Sequence, residues 1–321
     1  MKKFDVIALG ELLIDFTENG TSRQGNPLLE ANPGGAPCNV LAMLNKLNKK
    51  TAFIGKVGRD SFGNMLKEAV LKSGTDVTNL LLDETVPTTL AFVHTLPDGD
   101  REFSFYRNPG ADMMLKKEEV SEELIQSGKI FHFGTLSSTH DKVREATRYA
   151  IEIAKSNKLL ISFDPNLRIP LWDSLKRAKE EIEYGLSRCD VLKISDNELE
   201  FMTGTADYDK GMEILRQKYE IPVVFLTLGK EGSRAYFRDW MVEEPTFLQQ
   251  GTIETTGAGD TFTGCALGYL LDNGIHALTR EKLHELLKFA NAAASIITTR
   301  KGALRVMPEK EEIMAFINSR E

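Results

Sequence analysis

From residue 130 onward the chain repeats one rhythm. Short unbroken apolar runs at 130–133, 159–163, 191–194 and 223–227 alternate with helical stretches at 140–156, 174–188 and across 196–219. Runs of this length read as strands buried on both faces, and their alternation with helices predicts a parallel sheet covered on both sides. The first residues fit the same scheme. An apolar run at 4–10 ends in Gly10, residues 11–16 continue beyond it, a helix is expected over 40–47, a strand over 51–57, and a helix from the glycine-bounded stretch 58–63 to about Ser73. Three helices close the chain, at 258–272, 279–298 and 308–318.

Between 88 and 107 the period shortens. Residues 88–95 and 101–107, joined by Leu96, Pro97, Asp98, Gly99 and Asp100, predict a β-hairpin, and extended pieces within 12–32 are expected to pair with it. We therefore expect an α/β, three-layer fold with a central, mainly parallel sheet between helices, plus a small β-sheet standing off it as a lid. Residues 1–10, 34–84 and 113–321 would form the major α/β domain, and 11–33 and 85–112 the lid. A small sheet with an apolar face wants a partner, so a homodimer through the lids is expected.

Ligands of such sheets bind beyond the carboxyl ends of the strands. Gly10, Gly134, Asp164, Ser195 and Thr227 all fall there. Composition adds limits. With 321 residues, 41% hydrophobic and 27% charged, the chain is an ordinary globular protein, and a net charge of −7 without a basic cluster argues against nucleic acid or an anionic membrane as partner. The N-terminal apolar run is broken by Gly10, Glu11 and Asp15, which leaves no signal-peptide core, and no other run reaches the ~20 apolar residues of a membrane span. Three scattered cysteines, Cys38, Cys189 and Cys265, make neither a disulfide framework nor a zinc site, and the expected compartment is the cytoplasm.

The candidate chemistry centres on residues 255–262. Gly257 and Gly259 open a helix near Ala258, where free amides and the positive helix end would hold an anion. Asp260 stands at the edge of that turn. Alone, this stretch is more simply an ordinary Asp cap on a helix. In a phosphoryl-transfer site, however, a carboxylate beside an anion hole would take the proton of an attacking hydroxyl. At the other end of the chain, Gly34 and Gly35 make room for a ligand at a helix entrance, Asn39 offers both a donor and an acceptor, and Asp15 among apolar residues is either a turn acid or a grip on sugar hydroxyls.

Residues 34–39 and 55–63, taken with 255–260, resemble the two signature regions of the ribokinase-like (PfkB) carbohydrate kinases, in order and roughly 200 residues apart. The resemblance covers nearly the whole chain. Within that family, residues 10–16, 105–112 and 162–172 look most like the fructokinase branch. The resemblance implies an ATP-dependent sugar kinase using Mg2+, with fructose as acceptor; a kinase for ribose, a nucleoside or 2-keto-3-deoxygluconate, and a non-catalytic sugar sensor on the same scaffold, are the alternatives. It makes Asp260 the catalytic base and the amides of Gly257, Ala258 and Gly259 the anion hole. Asp15, Gly34, Gly35 and Asn39 would hold sugar hydroxyls, and Arg107 and Arg168 would reach toward the sugar or the phosphates.

On the nucleotide side it implies Lys193, Ser195, Thr227, Gly229, Gly232 and Asn291, with Glu198 acting on magnesium indirectly. Two departures stand out. Ser195 replaces the usual Asn ahead of Glu198, and Glu254 replaces the usual Asp ahead of the threonine pair. A monovalent-cation loop of Glu254, Thr256, Ile297 and Gly302 is implied there, which leaves potassium an open expectation. The alternative is that the positive charge of nearby Arg305 stands in for potassium.

Overall fold

The computed structural model describes residues 2–95, 101–249 and 251–320. Its strands are β1 (Phe4–Leu9), β2 (Leu13–Thr21), β3 (Pro27–Gly34), β4 (Thr51–Gly58), β5 (Asp76–Asp83), β6 (Leu90–Thr95), β7 (Arg101–Tyr106), β8 (Gly128–Gly134), β9 (Leu160–Asp164), β10 (Val191–Ser195), β11 (Val223–Thr227), β12 (Ser233–Phe237) and β13 (Trp240–Glu244). Its helices are α1 (Ala36–Lys46), α2 (Ser61–Lys72), α3 (Glu122–Gln126), α4 (Asp141–Ser156), α5 (Leu175–Leu186), α6 (Asp196–Thr203), α7 (Tyr208–Lys218), α8 (Ala258–Asn273), α9 (Arg280–Ile297) and α10 (Lys310–Asn318).

A nine-stranded sheet runs in the order β13-β12-β11-β10-β9-β8-β1-β4-β5. All its pairings from β11 to β5 are parallel, and the β11-β12-β13 meander is antiparallel. Alternation along β1 explains why both faces must be covered: Val6 and Ala8 belong to one core, with α1, α8 and α9, while Ile7 and Leu9 belong to the other, with α4, α5 and α7. This is the α/β architecture the alternating pattern predicts.

A separate four-stranded sheet, β3-β2-β6-β7, is built from the segments expected to pair. Its β6-β7 hairpin aligns Leu90 with Tyr106 and Thr95 with Arg101; the connecting turn, Leu96 to Asp100, lies outside the described residues. Strand β5 was not expected. Its sequence, DVTNLLLD, places the polar Asn79 in a buried position, where its side chain donates to the Glu119 carbonyl (2.9 Å) and accepts from the Ser121 amide (2.8 Å). A buried polar residue satisfied by distant backbone breaks the apolar pattern by which strands are read.

Helix starts carry the local chemistry that aims the site. The Ser195 side chain accepts from the Glu198 amide and Glu198 bonds back to the Ser195 amide (2.8 Å), a reciprocal cap that opens α6 at the end of β10. Gly257, at φ 78°, caps α8 in a left-handed turn that a side chain rarely adopts. Gly35, at φ 133°, opens α1.

Candidate active site

One cleft of ≈ 810 Å³ lies where the small sheet faces the carboxyl ends of β8, β9 and β10, and it is lined by Asp15, Gly35, Asn39, Arg168, Lys193 and Asp260 among others. Residues from both ends of the chain therefore meet. That volume suits a small molecule held among a few placed polar groups.

Asp260 projects from the first turn of α8 and is held by Asn39, whose Nδ2 donates to Asp260 Oδ2 at 2.8 Å. Burial raises the Asp260 pKa above the ordinary carboxylate value, against the pull of the Asn39 hydrogen bond and of the Lys193 and Arg168 charges. A carboxylate shifted in this direction takes a proton more readily near neutral pH. The other amide atom, Asn39 Oδ1, is buried without a hydrogen-bond partner. Such an atom fits a ligand hydroxyl, because a buried acceptor left unpaired is costly.

Asp15 comes from β2 in the small sheet. Gly34, on the paired strand, makes room for it: a Cβ at Gly34 would sit 2.1 Å from Asp15 Oδ2. Burial pushes the Asp15 pKa up to about 7; the Arg168 charge pulls it down, and the neighbouring Glu254 and Asp260 carboxylates push it further up. Glu11 was missed by sequence reasoning. It lines the same cleft, and its Oε1 accepts from the Ala36 amide at 2.9 Å, fixing the entrance of α1. Burial raises its pKa to about 7 as well. The signal was its place directly after Gly10, at the very strand end the alternation singled out. Asn166, with φ 44°, also lines the cleft and was not singled out.

Lys193, on β10, is the buried cation of the site. Its Nζ lies 3.3 Å from Asp164 Oδ1 and would lie 3.3 Å from a Cβ added at Gly259, so the ammonium sits against the first turn of α8. Burial works against its charge, and the carboxylates of Asp164, Glu198 and Asp260 more than offset that, leaving its pKa raised. Glu198 is equally fixed: Oε1 accepts from the Leu167 amide and Oε2 from the Ser195 amide, each at 2.8 Å. Burial would raise its pKa, but Lys193 and these two amides hold it below the usual carboxylate value.

Several expected positions are placed elsewhere. Arg107 does not reach the cleft. Its side chain is 3% exposed, with Nε on Asp112 Oδ2 (2.8 Å), Nη1 on Thr139 Oγ1 (2.7 Å) and Nη2 on the Leu136 carbonyl (3.0 Å), so the guanidinium is fully engaged in tying the small sheet to the main body. Within the glycine turn the Ala258 amide points inward to the Thr255 carbonyl (3.2 Å), which leaves Gly257 and Gly259 as the positions of this turn that line the cleft.

Thr227, Gly229, Gly232 and Asn291 do not line it either. The Asn291 amide donates to the carbonyls of Glu244 (3.0 Å) and Pro245 (3.1 Å) and accepts from Ser233 (2.8 Å), which pins α9 to β13. Ile297 and Gly302 do not line the cleft, while Thr256 and Glu254 do. Arg305 lines a different cleft, with Asn45, Lys46 and Lys72. Among the described residues no cluster of three or more His, Cys, Asp or Glu side chains could hold a metal by itself.

Comparisons with known proteins agree with this geometry. Residues 3–310 match the pfkB family carbohydrate kinase. A probable fructokinase-2 of Arabidopsis thaliana is 40% identical over 314 residues, covering 97% of this chain and 95% of its own. The crystal structure of a Xylella fastidiosa fructokinase with bound ATP superposes with a TM-score of 0.88 at 29% identity, covering 100% of this chain and 99% of that one. A Vibrio cholerae fructokinase double mutant in a fructose-, ADP- and potassium-bound form gives 0.88 at 28% identity, covering 99% of each chain. The family match over residues 3–310 and 40% identity across 97% of the chain lead to one statement: the chain belongs to the pfkB family of carbohydrate kinases.

Proposed function

We propose that the protein is an ATP-dependent fructokinase, which transfers the γ-phosphoryl group of ATP to a hydroxyl of fructose. The observation that carries this reading is Asp260, buried at the first turn of α8, bonded to Asn39 and facing the cleft beside the unpaired Asn39 acceptor. Full-length similarity to proteins named fructokinases supports the choice of sugar.

Fructose lies over Asp15, Gly35 and Asn39, with its hydroxyls donating to the Asp15 carboxylate and to Asn39 Oδ1. Asp260 accepts the proton of the attacking hydroxyl as the new oxygen–phosphorus bond forms and the bond from the γ-phosphorus to the bridging oxygen of ADP breaks. The amides of Gly257 and Gly259, at the positive end of α8, and the Lys193 ammonium face the charge on the migrating group. Arg168, in the same cleft, balances the acids around the sugar.

The donor set fits magnesium only as a cation delivered with ATP. Both Glu198 oxygens are engaged by backbone amides, so Glu198 would meet the ion through water, and phosphate oxygens would supply the direct ligands. When bound, the ion neutralises phosphate charge. The three buried free cysteines suit a reducing, cytoplasmic setting, and among the described residues no helix is long and apolar enough to cross a membrane. Leu28, Leu29 and Tyr106 on the small sheet are exposed, which supports a homodimer through these sheets.

The reading is tested by ATP-to-ADP turnover with magnesium against fructose, ribose, adenosine, glucose, mannose and 2-keto-3-deoxygluconate. A kcat/KM for fructose at least ~10-fold above every other sugar is expected. Preference for another acceptor would overturn the choice of sugar and leave the family standing.

A further inference from the structure

The resemblance that implies ATP and magnesium also implies a monovalent cation beside the α8 turn, and the residues present there do not fit one. Three observations argue against it. Glu254, 9% exposed, directs Oε1 at the Gly302 amide (2.8 Å), so an N–H group, itself partially positive, occupies the position facing the carboxylate. The Thr298 carbonyl accepts from both the Ile253 amide (2.8 Å) and the Glu254 amide (3.1 Å), which uses both of its lone pairs, and the Ile297 carbonyl accepts from the Arg300 amide (3.1 Å). One oxygen of Glu254 and the Thr298 and Ile297 carbonyls are thus already turned to protein donors.

These same bonds have a mechanical consequence. Gly302 is held at φ 77°, and the next residue, Ala303, packs so closely beneath Gly257 that a Cβ there would lie 2.6 Å from the Ala303 Cβ. Glu254 therefore ties the loop after α9 to the turn that opens α8, from one side, while Ala303 supports it from the other.

We infer that this protein needs no monovalent cation, because Glu254 is a positioning residue that performs the cation's structural task from within the chain. The inference rests on the reading of the Gly257 turn as the anion hole. An Asp at position 254, roughly 1.5 Å shorter, would fall short of the Gly302 amide and leave its carboxylate unpaired. A charge-assisted bond to a backbone amide is directional and strong, so the longer acid replaces an exchangeable ion with a fixed contact.

The test compares the wild-type protein with Glu254→Gln, Glu254→Ala and Glu254→Asp in sodium, potassium and choline buffers, reading the melting temperature of the free protein and the kinetics with fructose and magnesium-ATP. Wild-type melting temperature should be the same in all three, and its kcat within about twofold. Glu254→Gln, which keeps an acceptor for Gly302, should retain most of kcat. Glu254→Ala should lose on the order of 10² in kcat with little change in the fructose KM, as expected when a catalytic turn is misplaced by about 1 Å. Glu254→Asp should be impaired in sodium and be raised in both kcat and melting temperature by potassium. A wild-type kcat or melting temperature that climbs with potassium would overturn the inference, and so would Glu254→Gln behaving as poorly as Glu254→Ala. If fructose proves not to be the substrate, the sugar panel reports that separately, and the melting temperatures still decide the question of the cation.

Discussion

Asp15 and Glu11 are acids held where ionisation is disfavoured, and that has a measurable sign. Burial raises each to about 7, so between about pH 4 and 7 the folded protein keeps protons that the unfolded chain releases. Their contribution to stability is complete below the unfolded pKa values and is lost as pH rises through about 7. The melting temperature of the free protein should therefore fall between pH 5.5 and 8, a window above the range in which Asp60 and Asp83 titrate, both of them held low by hydrogen bonds that outweigh burial. Asp15→Asn should flatten part of that fall while weakening fructose binding, and a variant with an unchanged slope would show that Asp15 is not the group responsible. Gly34→Ala probes the same carboxylate from the other side. Its new methyl would displace Asp15 Oδ2, and the expected outcome in steady-state assays is a higher fructose KM with kcat reduced much less.

Among the elements, α8 carries the chemistry, and its start is set by Gly257. In Gly257→Ala a left-handed φ and the contact with Ala303 both oppose the new methyl. We expect kcat to fall by about 10² to 10³, the scale of a lost oxyanion donor, with a lower melting temperature. Normal kcat in this variant would remove the turn from the mechanism. This helix, its glycines and Asp260 were legible in the sequence because turn chemistry and apolar periodicity are local. The sheet was legible for the same reason, except β5, where the buried Asn79 hides the pattern behind partners 40 residues away and more. What stayed illegible was tertiary. Arg107 reads as a free cation until Asp112, Thr139 and Leu136 converge on it, and Asn291 reads as a ligand group until β12 and β13 take its amide.

At the scale of the whole molecule, the sugar site depends on two sheets holding one relation. Asp15 belongs to the small sheet and Asp260 to the large body, and the buried Arg107 joins the two through Thr139 Oγ1 and the Leu136 carbonyl. Exposed Leu28, Leu29 and Tyr106 on the small sheet lead us to expect a dimer. Sedimentation should give twice the 35.9 kDa of one chain, and Leu29→Asp should shift it toward the monomer. A monomeric wild-type protein would end that proposal without touching the chemistry. The central claim is that Asp260 is the base of a phosphoryl transfer to a bound sugar, and the most direct test is Asp260→Asn, assayed for turnover and for fructose binding in the same preparation. The account predicts a kcat lower by about 10² to 10⁴ with fructose affinity nearly unchanged. Turnover close to wild type, or a folded variant that no longer binds fructose, would contradict it.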